Sequence, residues 1–135
     1  MRSARAVRAF LVASVGVLAS CEDLPNIPPV AAFIYSPVSP IVSGQSVVAF
    51  NASGSYDADG TVRSYTWEFG DGTPAVQADA ATTTHVFPDT PLTCREVVYT
   101  ALLTIEDDGG SRASASQQVR VVELPDPGSL ACSGR

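Results

Sequence analysis

The chain has 135 residues, of which 45% are hydrophobic and 16% charged. That composition excludes a disordered chain and leaves room for one modest domain with extensions. All eight basic residues are Arg, and past Cys21 five of them face 14 Asp and Glu, a balance of −9 that argues against nucleic acid or anionic lipid as a partner and favours cations or neutral partners.

Three of the arginines fall in the first eight positions, MRSARAVR. An apolar run, AFLVASVGVLA, follows and is shorter than the roughly 20 residues a spanning helix needs. A basic start, a short apolar run and then small residues describe an export signal. The ending Leu18-Ala19-Ser20-Cys21 resembles the bacterial lipobox, which implies that residues 1–20 are a signal peptide and that Cys21 carries lipid. The alternative is an ordinary secretory signal with an incidental Cys. The expectation is an exported, membrane-anchored lipoprotein at the periplasmic face or the cell surface. Residues 21–29, with the Pro-rich stretch EDLPNIPP, then read as a tether of about 25 Å in polyproline II. Export places the chain in an oxidising compartment, so Cys94 and Cys132 become a candidate disulfide.

From Val30 to Glu123 one predicted strand follows another. VAAFIY comes first, bounded by Pro37 and Pro40. SVVAFNAS puts Val48, Phe50 and Ala52 on one face. VRSYTWEF alternates Tyr65, Trp67 and Phe69 with Ser64, Thr66 and Glu68, the period of a half-buried strand. A weak strand near Ala75 to Gln77 and another over TTTHVF precede EVVYTALLTIE, which places Tyr99, Ala101, Leu103 and Ile105 together. RASASQQVRVVE closes the series with Ala113, Ala115, Val119 and Val121. Turn formers separate the runs at Asp59-Gly60, Asp71-Gly72, Pro88-Asp89 and Asp108-Gly109-Gly110. No helical period of useful length is present. The fold class is therefore all-β, an immunoglobulin-like antiparallel β-sandwich of about seven strands with Trp67 as its central aromatic. Phe50 and Ala101 stand about where an immunoglobulin disulfide would be, so the core must rest on packing. Residues 124–135, LPDPGSLACSGR, form an irregular tail.

FNASGSYDADGTVRSYTWEFGDGT, then His85-Val86-Phe87, then ALLTIEDDGG resembles the PKD domain, an immunoglobulin-like sandwich of extracellular proteins. The resemblance spans most of residues 30–123. It implies the fold and an extracytoplasmic setting. The chain departs from the family's pattern at PDTPLTCREV, residues 88–97, where a longer connection carries Cys94.

In a sandwich of this order, the loops at 53–60 and 107–110 share the end where the tether joins. The turn at Gly70 to Thr73, the 88–97 connection and the C-terminus share the other. Cys94 and Cys132 then lie within reach, and their bridge would close about 37 residues and stabilise by roughly 4 kcal/mol. The alternative is two free thiols. Asp57, Asp59, Asp107 and Asp108 converge at the tether end, and clustered hard oxygen ligands suit Ca²⁺. Some PKD-like domains of secreted proteases bind calcium with the matching loops. The resemblance thus makes Asp57, Asp59 and Asp107 the leading ligands, with Asn51 and Ser53 behind them. Ordinary turn chemistry is the competing explanation of the same residues.

His85 is the only histidine and falls where the family carries a structural one. No nucleophile, phosphate-loop or zinc-ligand spacing is present, so no enzyme is expected. The expected function is a non-catalytic, lipid-anchored binding or scaffolding module making protein contacts at the cell envelope. A structural subunit of a membrane-bound complex is the alternative from another class. A polysaccharide-binding adhesin ranks below both, because the aromatics read as inward and leave Tyr35 and Tyr56 alone as candidates. For a partner site, Pro91, Leu92, Arg95 and the stretch from Thr73 to Ala75 lie at the end away from the tether.

Overall fold

The computed structural model describes residues 24–38, 40–89 and 96–122. Among the described residues eight strands follow in chain order: β1 (Ile34–Ser36), β2 (Ile41–Val42), β3 (Val48–Asn51), β4 (Val62–Glu68), β5 (Val76–Ala78), β6 (Thr82–His85), β7 (Glu96–Asp107) and β8 (Arg112–Val122). They form a three-stranded sheet in the order β1-β3-β6 and a five-stranded sheet in the order β2-β8-β7-β4-β5. Every pairing is antiparallel except that of β2 with β8. The all-β, immunoglobulin-like sandwich expected from the sequence is the fold.

Between the sheets lie Trp67, Phe50, Phe69, Phe87, Leu103, Ile105 and Val119, all essentially without exposure. The Trp67 ring meets Phe33 edge-on at 5.2 Å and Phe50 at 5.7 Å. The period-two face of β4 is the reason: Tyr65 and Trp67 point inward, and Phe69 continues the row just past the strand. Ala101 and Phe50 are fully buried. Tyr99 is half-buried and stacks on Phe87 at 5.1 Å.

The first strand differs from its expected form. VAAFIY yields only β1, after an isolated bridge from Val30 to Tyr56. The chain then passes Pro37, which follows a cis peptide bond, and Pro40, and enters the other sheet as β2. Prolines cannot donate to a ladder, so they fall at the crossing and not inside a strand. Ile41 fills the core at full burial, which anchors a strand of only two residues.

Candidate functional site at the loop end

Three segments meet where β4 begins and β7 ends: residues 53–61, residues 108–111 and the N-terminal stretch around Asn26. A β-bulge between Val62 and Ser64 bends β4 there, so that Val62 pairs with Asp107 and Ser64 with Glu106.

Asp107 ends β7 and is buried. Its Oδ2 accepts from Asn26 Nδ2 at 3.0 Å and its Oδ1 from the Ser111 N–H at 2.8 Å. Burial opposes its ionisation, but the Asn26 amide and the backbone N–H groups of Ser111, Gly109 and Gly110 outweigh it and hold the carboxyl below its ordinary value. Asn26 Nδ2 also donates to Ser111 Oγ at 2.8 Å. A Cβ on Gly109 would overlap the Asn26 side chain, so glycine makes room for it.

The neighbouring carboxylates are used in the same way. Asp108 Oδ1 accepts from the Thr61 N–H at 3.0 Å, and the Asp108 N–H donates to the Thr61 carbonyl at 3.0 Å. Asp59 Oδ2 accepts from the Ile27 N–H at 3.0 Å. Asn51 Oδ1 accepts from the Ser53 N–H at 2.8 Å, an Asx turn that spends the oxygen on its own loop. Residues 26 and 27, which the sequence places in the tether, are thereby fastened to the domain.

Asp57 stands apart. Both of its carboxylate oxygens are buried and have no hydrogen-bond partner among the described residues. Burial, then the Asp59 and Asp107 carboxylates, push its pKa up; the backbone N–H groups of Ala58 and Asp59 offset this only in part. A Cβ on Gly60 would crowd Asp57 Oδ2 and overlap Asp108 Oδ1. The structure thus brings Asp57, Asp59, Asp107 and Asp108 to one end, while Asn51 and Ser53 pair with each other. Among the described residues no three His, Cys, Asp or Glu side chains adopt a ready metal-binding arrangement.

At the opposite end, His85 Nε2 lies 2.6 Å from Asp71 Oδ2, linking the turn after β4 to β6 of the other sheet. The His85 ring stacks on Phe69 at 3.8 Å and meets Phe87 edge-on at 4.8 Å. Asp71 Oδ1 accepts from Thr73 Oγ1 at 2.6 Å and from the Thr73 N–H at 3.0 Å. Burial works against the charge on Asp71, yet these bonds from Thr73 and His85 hold its carboxyl below the ordinary value. From the sequence, Gly70-Asp71-Gly72 reads only as a turn; the Asp-x-Thr spacing is the signal for the side-chain bonds it makes. Gly70 has φ +75°, and a Cβ there would come 2.6 Å from the Thr100 carbonyl oxygen.

Beside this turn lies an open groove of about 550 Å³ lined by Thr73, Ala75, Gly70, Thr100 and Leu102. A second depression, of about 340 Å³, crosses the outer face of the five-stranded sheet over Thr66, Gln77, Thr104, Glu106 and Arg112. Tyr56 is exposed, whereas Tyr35 is half-buried with its hydroxyl donating to the Gln118 carbonyl. Cys21, Cys94, Cys132, Pro91, Leu92 and Arg95 lie outside the described residues.

Known proteins share this frame. Collagenase ColA of Bacillus cereus is 33% identical over 89 residues, and Collagenase ColA of Clostridium perfringens 33% over 92 residues. These stretches take up 66% and 64% of this chain but 8% of each collagenase. Among solved structures, the PKD1 domain of the Vibrio cholerae metalloprotease PrtV superposes with TM-score 0.54 at 28% identity, covering 71% of this chain and 99% of that one. The PKD1 domain of Vibrio anguillarum Epp gives 0.53 at 27%, covering 75% and 100%. A structure from work on the promiscuous specificity of carbohydrate-binding modules of the β-sandwich superfamily gives 0.65 at 30%, covering 79% of this chain and 39% of that one. The family model for the PKD domain matches residues 26–122, beginning at the Asn26 that the loop end holds. The chain belongs to the PKD domain family.

Proposed function

We propose that this chain is a non-catalytic binding module of the cell envelope, exported and anchored through lipid on Cys21, which holds envelope proteins at the end away from its anchor. The observation that carries this reading is the groove beside the Asp71 turn. It is open, it mixes glycine backbone with the Leu102 side chain, and it is lined by Thr73 and Ala75. The turn that forms its wall is held by Asp71, so the surface is preorganised. The lone histidine is committed to that part-buried pair between two phenylalanine rings, which supports a structural role for it in place of a catalytic one.

A photo-crosslinker placed at Thr73 or Ala75 of the membrane-bound protein tests the reading. It should join the chain to a small, reproducible set of envelope proteins, and substitution of Leu102 by Asp should weaken the yield several-fold. Crosslinks that are random and unaffected by Leu102→Asp would contradict it.

Polysaccharide binding is the second reading, favoured by the likeness to the carbohydrate-binding-module structure. The hydroxyl, amide and charged groups over Thr66, Gln77, Thr104, Glu106 and Arg112 would serve it, as hydrogen-bond partners for sugar hydroxyls. Depletion of the protein by an insoluble polysaccharide, lost in a Thr66→Ala and Gln77→Ala double variant, would select this reading over the first.

Calcium enters as a structural ligand. The fit rests on Asp57, whose two buried oxygens have acidic neighbours and, against them, only the adjacent backbone N–H groups of Ala58 and Asp59, which offset the charge in part. A divalent cation would supply the missing partner, with Asp59 adjoining. A Cys94–Cys132 disulfide belongs to the same proposal, because Glu96, two residues after Cys94, and Val122, ten residues before Cys132, face each other in the β7–β8 pairing.

A further inference from the structure

We infer that the domain lies loop end down on its own membrane, with Leu24, Ile27, Val30 and Tyr56 set into the interface of a zwitterionic bilayer. The inference rests on the lipid anchor at Cys21 and adds an orientation and a contact surface to it. Four residues, and so five Cα–Cα steps, separate Cys21 from Asn26, which is already hydrogen-bonded to Asp107 and Ser111. Fully extended, that leash spans at most about 18 Å. Strand β8 has 11 residues, and its length is roughly 36 Å. A leash that is short against the long axis of the sandwich keeps the loop end near the lipid and the Asp71 end away from it.

The surface at that end suits the position. Leu24 is 89% exposed, Tyr56 57%, Ile27 51% and Val30 46%. Val30 and Tyr56 are held side by side, with Val30 N–H donating to the Tyr56 carbonyl at 2.7 Å and Tyr56 N–H to the Val30 carbonyl at 3.1 Å. Ile27 is fixed by Asp59. Aliphatic side chains beside a tyrosine favour the boundary between headgroups and acyl chains. Asp57, Asp59 and Asp108 lie at the same end and repel anionic headgroups, so the bilayer this surface accepts is zwitterionic.

The test uses the full-length lipoprotein in nanodiscs of phosphatidylcholine containing a small fraction of gadolinium-chelating lipid. Amide signals of residues 27, 30, 56 and 109 should lose intensity at least threefold more than those of residues 72, 77 and 85. A Leu24→Ser and Ile27→Ser double variant, which leaves the core intact, should reduce that contrast at least twofold. Even attenuation over both ends, in protein that co-elutes with the discs, overturns the orientation and leaves the anchor standing. Failure to co-elute removes the anchor and the orientation together. A contrast that grows when phosphatidylglycerol replaces half the phosphatidylcholine overturns the zwitterionic surface.

Discussion

Asp71 and Asp57 are carboxylates at opposite ends of one sandwich, and their surroundings drive them in opposite directions. Asp71 is surrounded by donors, so its folded pKa lies below the unfolded one. Its stabilisation is therefore present above the unfolded value near pH 4 and is lost as pH falls through the lower, folded value. Asp71→Asn should cost about 1–3 kcal/mol at pH 7, the usual size for a lost buried hydrogen bond to a charged group. Urea unfolding should show that deficit shrink as the pH is lowered below about 4. Asp57 has the reverse sign: its folded pKa is raised, so stability is fullest below the unfolded pKa and is lost as pH rises through the folded one. In chelator at neutral pH, Asp57→Asn should raise the melting temperature. Millimolar Ca²⁺ should raise that of the natural chain and leave the variant unmoved; a natural chain indifferent to Ca²⁺ against chelator would count against the metal.

Among the elements, β4, β7 and β8 were legible because each alternates long enough to fix which face is buried. Tyr65, Trp67, Phe69, Leu103 and Ile105 point inward as their spacing requires. β2 was not legible, since two residues between prolines and a turn carry no period; its existence depends on β8 being there to receive it. The docking of Asn26 was hidden for a related reason. Its partners Asp107 and Ser111 lie 81 and 85 residues away, and only the assembled sandwich brings them together. Four clustered carboxylates could be placed at one end from strand order alone, but which of them already had donors could not. Asn26→Ala should free the N-terminal stretch and speed amide exchange at residues 27 and 109–111 severalfold, with β4 and β7 unchanged. Equal exchange in both proteins would show that the side-chain amide does not hold that end.

At the scale of the whole molecule, one sandwich separates two surfaces. The loop end fastens the N-terminal stretch; the far end offers a groove beside a turn fixed by a part-buried Asp–His pair. Fourteen acidic residues against eight arginines keep such a body away from anionic surfaces. Non-reducing peptide mapping should recover Cys94 and Cys132 in one linked species, and two free thiols would remove the staple from the account. The most direct measurement compares photo-crosslinkers at Thr73 and at Ile27 in the full-length chain, in the membranes where the proposed lipid anchor would hold it. Thr73 should give protein adducts and Ile27 lipid adducts. Lipid adducts from both positions, or protein adducts from Ile27 with none from Thr73, would contradict that expectation.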